Sequence, residues 1–253
     1  MPDFFEKRAA IAERNWNDPV TRQAAADWHD AARRCEYQYL VEWMGRPIIQ
    51  DPQDVCYIQE IIWRVKPDVI VETGIARGGS LVLSASILAA ISHGEWLETG
   101  VMKSRKVIGV DIDIRPHNRE AIEAHALSKM ITLIQGSSVA PDVVETVREA
   151  AGEGTKVLVF LDSNHTRDHV YEELLAYAPM VGEGSAIFVM DTGIEHALQD
   201  SFHTVRPWGP GNSPLTAVND FLAMPQGAGF AKDQSIEKRL LITCATEGLL
   251  VKG

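Results

Sequence analysis

The chain has 253 residues, 45% hydrophobic and 23% charged, with a formal net charge of -11. That composition is ordinary for a globular protein, and the length suits one α/β domain with extensions. The acidic balance argues against a nucleic-acid backbone as the main partner, because phosphate binding needs clustered Lys and Arg. No apolar run reads as a membrane span, and the first eight residues lack the apolar core of a signal peptide. Cys35, Cys56 and Cys244 are scattered and odd in number, so neither a disulfide framework nor a metal-ligand spacing is present. A cytoplasmic protein that does not insert into membranes is expected.

Residues 1–46 read as a helical extension, with Phe4, Phe5, Ala9 and Ile11 and then Trp28, Tyr37 and Leu40. It either covers the active site or makes an oligomer contact. Residues 47–253 read as one α/β domain. Asp51-Pro52 starts a helix that runs through Val55, Ile58, Ile61, Ile62 and Val65 and stops before Lys66-Pro67. Val69, Ile70 and Val71 form a short β-branched run, the pattern of a strand buried on both faces.

That strand leads into Glu72-Thr-Gly-Ile-Ala-Arg-Gly-Gly-Ser80, a glycine turn ahead of a helix over Leu81–Ile91. Strand, glycine turn and helix form the nucleotide-binding corner of a doubly wound sheet. The acidic Glu72 stands where a dinucleotide site would receive a pyrophosphate, and Ala76 breaks the G-x-G-x-x-G spacing. Glu72-x-Gly74-x-x-x-Gly78 is instead an S-adenosylmethionine pattern, in which a carboxylate meets the cationic methionine end. Gly74, Ala76, Gly78 and Ser80 are therefore cofactor-binding candidates alongside Glu72.

Residues 92–105 read as a polar loop. Strands are then predicted over 106–111, 130–134, 156–162 and 185–191, alternating with helices from Pro116, Pro141 and Arg167. This alternation predicts a mostly parallel sheet with ligands at the carboxyl ends of its strands. Glu72, Asp111, Asp162 and Asp191 all fall at such ends. Asp111 suits the ribose hydroxyls of an adenosyl group, and Gly136-Ser137-Ser138 suits the loop over its adenine. Asp162 and Asp191, on neighbouring strands, suit Mg²⁺, which takes few carboxylates and keeps room for water and substrate, and Asp162 is also a cofactor-binding candidate. His165 is placed to act as a base. The irregular segment 192–213 reads as a substrate lid, followed by a helix from Pro214 and an antiparallel hairpin made by Phe230 and 240–243.

Glu72–Ser80, Leu161-Asp-Ser-Asn-His-Thr-Arg-Asp-His-Val170, Asp191-Thr192 and Arg206-Pro-Trp-Gly-Pro-Gly-Asn-Ser-Pro-Leu-Thr-Ala-Val218 resemble the cephalosporin hydroxylase family. That group includes rhamnosyl O-methyltransferases, and the resemblance runs from about Trp43 to Leu250. It implies a Rossmann-like class I methyltransferase fold, S-adenosylmethionine, a divalent cation and a homo-oligomer. Members often carry Glu-Asp at the fifth strand end, where this chain has Met190-Asp191. Asp162 and Asp191 then remain as ligands, and Thr192 or His165 is drawn in.

The expected activity is methyl transfer from S-adenosylmethionine to a hydroxyl of a small molecule, a sugar of a natural product or glycolipid. Asp162 and His165 are the catalytic residues, and His165, Thr192, Arg206 and Trp208 face the acceptor. The alternatives are a β-lactam-type tailoring methyltransferase and a non-catalytic cofactor-binding subunit.

Overall fold

The computed structural model describes residues 3–197 and 205–253. Two helices come first, α1 (Phe4–Asn17) and α2 (Pro19–Arg34), hinged at Asp18. Asp3 and Asp18 each cap a helix with their side chains, which satisfies N–H groups that the first turn leaves free. The helical reading of residues 1–46 ends early, because β1 (Glu42–Trp43) and β2 (Arg46–Pro47) make a small antiparallel hairpin. Met44 and Gly45 carry positive φ in its turn, a conformation that helices exclude.

The rest alternates strand and helix: α3 (Pro52–Val65), β3 (Val69–Thr73), α4 (Gly79–Thr99), β4 (Lys106–Asp111), α5 (Pro116–Glu123), β5 (Ile131–Gln135) and α6 (Pro141–Ala151). Then follow β6 (Val157–Leu161), α7 (Arg167–Tyr177), β7 (Ala186–Val189), α8 (Pro214–Ala223), β8 (Phe230–Lys232), α9 (Glu237–Leu240) and β9 (Leu249–Lys252). The seven-stranded sheet has the order β5-β4-β3-β6-β7-β9-β8. Its first five strands are parallel, and β9 joins β7 and β8 antiparallel. Helices α3 and α4 bury Ile61, Ile62, Leu81 and Leu88 against one face. Helices α6, α7 and α8 bury Val147, Leu174 and Phe221 against the other.

Three local expectations are corrected. The segment read as a polar loop from Ser92 continues α4 to Thr99, because Arg105, itself buried, bonds Ser92 and Glu95 and holds that last stretch against the body. Helix α4 is also long and apolar enough to cross a bilayer by length and composition, contrary to the sequence reading, but its Leu81, Leu83 and Leu88 lie in the core. The second strand of the terminal hairpin is β9 rather than residues 240–243. Thr243 and the Cys244 N–H bond the buried carboxylate of Asp54 on α3, and that contact carries the segment over α3 instead of into the sheet.

Strand order reverses between β3 and β6, and open sheets of this kind hold ligands in the crevice outside that reversal. Thr73 and Leu161 are paired in register, so the next residues, Gly74 and Asp162, stand side by side over the crevice. The Asp162 N–H donates to the Thr73 carbonyl at 2.9 Å, and the Gly74 N–H donates to Val110 at 2.8 Å.

Candidate active site

Three adjoining cavities meet at Gly74. The largest, about 360 Å³, contains Asp111, Asp162, His165, Asp191, Arg206 and Trp208. The second, about 220 Å³, is lined by Asp111, Ser137, Ser138, Ser163, Asn164 and His169. The third, only about 20 Å³, lies between Gln50, Ser80 and Asp162. A still larger hollow of about 710 Å³, between α1 and α9, is remote from the strand ends. Lys238, Arg239 and Arg64 in its wall are each paired with a carboxylate.

The corner loop is shaped by close approach. Gly74 has φ +82°, and a β-carbon there would meet the Asp162 carbonyl oxygen at 2.0 Å. Ala76 also adopts positive φ, at 44°, which a residue bearing a β-carbon rarely does. Asp111 fixes this turn: its Oδ2 accepts from the N–H of Ile75 at 3.0 Å and of Ala76 at 3.4 Å. Its remaining acceptor capacity faces the two larger cavities, where a diol can be held. At Gly78 a β-carbon would strike Ile122 on α5, and at Gly136 it would strike Val143 on α6, so both serve packing.

Glu72 is buried within β3 and lines none of the three cavities. One oxygen accepts the Ser80 hydroxyl, and the other has no partner among the described residues. Burial pushes this carboxyl up to about 7. The orphan oxygen beside Ser80, a wall residue of the smallest cavity, fits a cationic group such as the methionine end of S-adenosylmethionine.

Asp162 follows β6, Asp191 lies two residues beyond β7, and His165 stands before α7. Their ligand atoms all lie within 4.8 Å of one another. His165 Nε2 is 3.3 Å from Asp191 Oδ2, and Gln50 Nε2 donates to Asp162 Oδ2 at 3.0 Å. Burial, with the nearby carboxylates of Asp191, Glu72 and Glu173, pushes Asp162 well above its usual range. Two carboxylates so close fit a divalent cation, which removes that repulsion, and the His165 imidazole stands beside them. Asp191 itself takes the left-handed region at φ 55°, a strained backbone for a non-glycine residue. Met190 is buried in the core beneath, so it adds no polar atom to the group formed by Asp162, Asp191 and His165.

Thr192, read from sequence as an acceptor contact, is buried with its hydroxyl donated to Thr246 at 2.6 Å, and it lines none of these cavities. Arg206 and Trp208 do reach the largest one. Trp208 meets His165 edge-to-face at 4.9 Å, and the Arg206 guanidinium sits 5.3 Å over the indole. The lid reading of 192–213 falls partly on residues 198–204, outside the described residues. On either side of them, Glu195 accepts from the Gly211 N–H at 3.0 Å and from the Ser213 hydroxyl at 2.5 Å, pinning the returning arm. Sequence reasoning missed Gln50, Ser163, His169 and the α2-side residues His29, Arg33, Gln38 and Tyr39, which line the cavities. Each has a polar residue beside it in the chain, so no local pattern marks them.

Sheet order, glycine corner and strand-end carboxylates together define a Rossmann-like fold of the class I methyltransferase type. Residues 35–253 match the family described as Rhamnosyl O-methyltransferase/CmcI, and the chain belongs to that family. It is 26% identical over 212 residues to a rhamnosyl O-methyltransferase of Mycobacterium leprae (strain TN), covering 83% of this chain and 82% of that one. Its counterpart in Mycobacterium bovis (strain BCG / Pasteur 1173P2) is 26% identical over 215 residues, covering 83% and 78%. Among solved structures, CmcI with Mg and SAM superposes with TM-score 0.55 at 17% identity, over 85% of this chain and 77% of that one. An apo structure of CmcI gives TM-score 0.53 at 18% identity, over 84% and 76%.

Proposed function

We propose that this protein transfers a methyl group from S-adenosylmethionine to a sugar hydroxyl, assisted by a divalent cation. The observation that carries this reading is the set of three cavities meeting at Gly74, with Asp111 shared between the two larger ones and Asp162 between the largest and the smallest. They suit a ligand with a purine end, a ribose centre and an amino-acid end, beside an open chamber for the acceptor. The family of rhamnosyl O-methyltransferases supports the acceptor class.

In this reading Asp111 holds the ribose, while Glu72 and Ser80 lie under the methionine end. Asp162 and Asp191 would hold the cation, which when bound would supply Lewis acidity toward the acceptor hydroxyl. His165 Nε2 takes the acceptor proton, and Asp191 stabilises the imidazolium that results. Trp208 offers a flat apolar face to the C–H side of a sugar ring, and Arg206 offers donors to its hydroxyls. Holding acceptor and methyl donor in line supplies much of the rate. Residues 1–46 close the acceptor side through His29, Arg33, Gln38 and Tyr39. Self-association, supported by exposed Phe4, Phe5 and Val20 on α1 and α2, belongs to the same proposal and is checked by light scattering.

The test is transfer of labelled methyl from S-adenosylmethionine to a panel of rhamnosides. Turnover is expected, lost in excess chelator and restored by Mg²⁺, with Asp191→Asn folded but inactive. Undiminished turnover in chelator would remove the cation from the scheme. Absence of transfer to every glycoside would remove the acceptor class.

A further inference from the structure

A second polar cluster lies beside the 220 Å³ cavity, apart from the Asp162–His165–Asp191 group. Residues His169, Glu173 and Tyr177 recur every fourth position on α7, so they share one helix face. His169 Nε2 lies 3.1 Å from the Ser138 hydroxyl, after β5, and 3.1 Å from the Ser163 hydroxyl, after β6. Ser163 donates to Glu173 Oε1 at 2.7 Å, and the Tyr177 hydroxyl donates to the Ser138 carbonyl at 2.8 Å. Glu173 is 0% exposed, and its Oε2 has no hydrogen-bond partner among the described residues. A buried carboxylate so poorly satisfied is costly, and an apolar residue would serve packing better.

We infer that His169, oriented by Glu173, is a positioning residue that ties the Ser138 and Ser163 loops together and sets the purine end of the cofactor site. The inference rests on the cofactor reading proposed above. Glu173 Oε1, 3.5 Å from His169 Nε2, draws the ring proton to that nitrogen. Nε2–H then donates to the Ser138 oxygen, which frees the Ser138 hydroxyl proton for an acceptor nitrogen on a purine edge. Ser163, whose own proton goes to Glu173, closes the opposite wall. The two loops come from strands on either side of β3 and β4, and no described backbone hydrogen bond joins them directly. The side-chain tether therefore fixes the width of the cavity between them.

The experiment is calorimetric titration of S-adenosylhomocysteine into the wild type and into Ser138→Ala, His169→Ala and His169→Gln. Thermal melting and Mn²⁺ affinity are measured on each protein. Loss of one directed hydrogen bond is worth about tenfold, so Ser138→Ala and His169→Ala should each raise Kd by about that factor. His169→Gln should recover most of the loss, because its amide N–H can stand where Nε2–H stands. Mn²⁺ affinity should not change in any of them, since Asp162, His165 and Asp191 are untouched. Should His169→Ala fail to fold, Ser138→Ala, which removes a single hydroxyl, carries the test. Unchanged Kd in the alanine variants, or no recovery with glutamine, would overturn this inference alone. A wild type that does not bind S-adenosylhomocysteine would overturn the cofactor reading and this inference with it.

Discussion

A β-carbon placed on Gly74 would lie 2.0 Å from the carbonyl oxygen of Asp162. The turn assigned to the cofactor and the carboxylate assigned to the cation are thus in backbone contact across the β3–β6 reversal. Gly74→Ala is expected to force the two loops apart, with added strain from φ +82°. Affinity for S-adenosylhomocysteine and for Mn²⁺ should fall together, each by tenfold or more, and melting temperature should fall as well. Loss of one affinity alone, read by titration, would show that the loops move independently.

Glu72 makes a pH-dependent contribution whose sign is fixed by its burial. Its carboxyl is pushed up to about 7 in the folded protein, above the unfolded value of 4.5. Folding therefore retains this proton between those values, and the associated stability is full below the window and lost as pH rises through 7. At about 1.36 kcal/mol per pH unit, the loss is roughly 3 kcal/mol. Glu72→Gln should melt higher than the wild type at pH 8 and close to it at pH 4.5 in the ligand-free protein. Equal melting temperatures at pH 8 would mean that Glu72 is solvated.

Trp208 faces both His165 and the largest of the three cavities, the one proposed for the acceptor, and it lies in an arm pinned by Glu195. Trp208→Ala is expected to raise the acceptor KM about tenfold or to lower kcat, leaving cofactor affinity unchanged. If its role is packing alone, steady-state kinetics should stay level while the melting temperature falls.

Most of the sheet was legible in the sequence because its strands are continuous apolar runs rich in β-branched residues, as Val69–Val71 and Val157–Leu161 show. The four strand-end carboxylates followed from that alternation, and Asp111, Asp162 and Asp191 reach the cavities. What stayed illegible depends on contacts distant in sequence. Arg105 extends α4 through Glu95, and Asp54 draws Thr243 and Cys244 away from the sheet. Thr192 is buried under Thr246 and Met190 in the core on either side of the left-handed turn at Asp191, which no local pattern encodes. His169 sits four residues after His165, but the pair lacks the Glu of a zinc-protease motif, so the spacing alone marks no metal site. The structure gives the two imidazoles different partners, Asp191 for one and Ser138, Ser163 and Glu173 for the other.

The central claim is that the crevice at Gly74 holds an adenosyl methyl donor. The most direct measurement is calorimetric titration of S-adenosylhomocysteine and of NAD into the same wild-type protein, repeated with Asp111→Ala. Saturable binding of S-adenosylhomocysteine, at least tenfold weaker in Asp111→Ala, with no heat from NAD, is the expected result. Tight NAD binding without any response to S-adenosylhomocysteine would contradict the account.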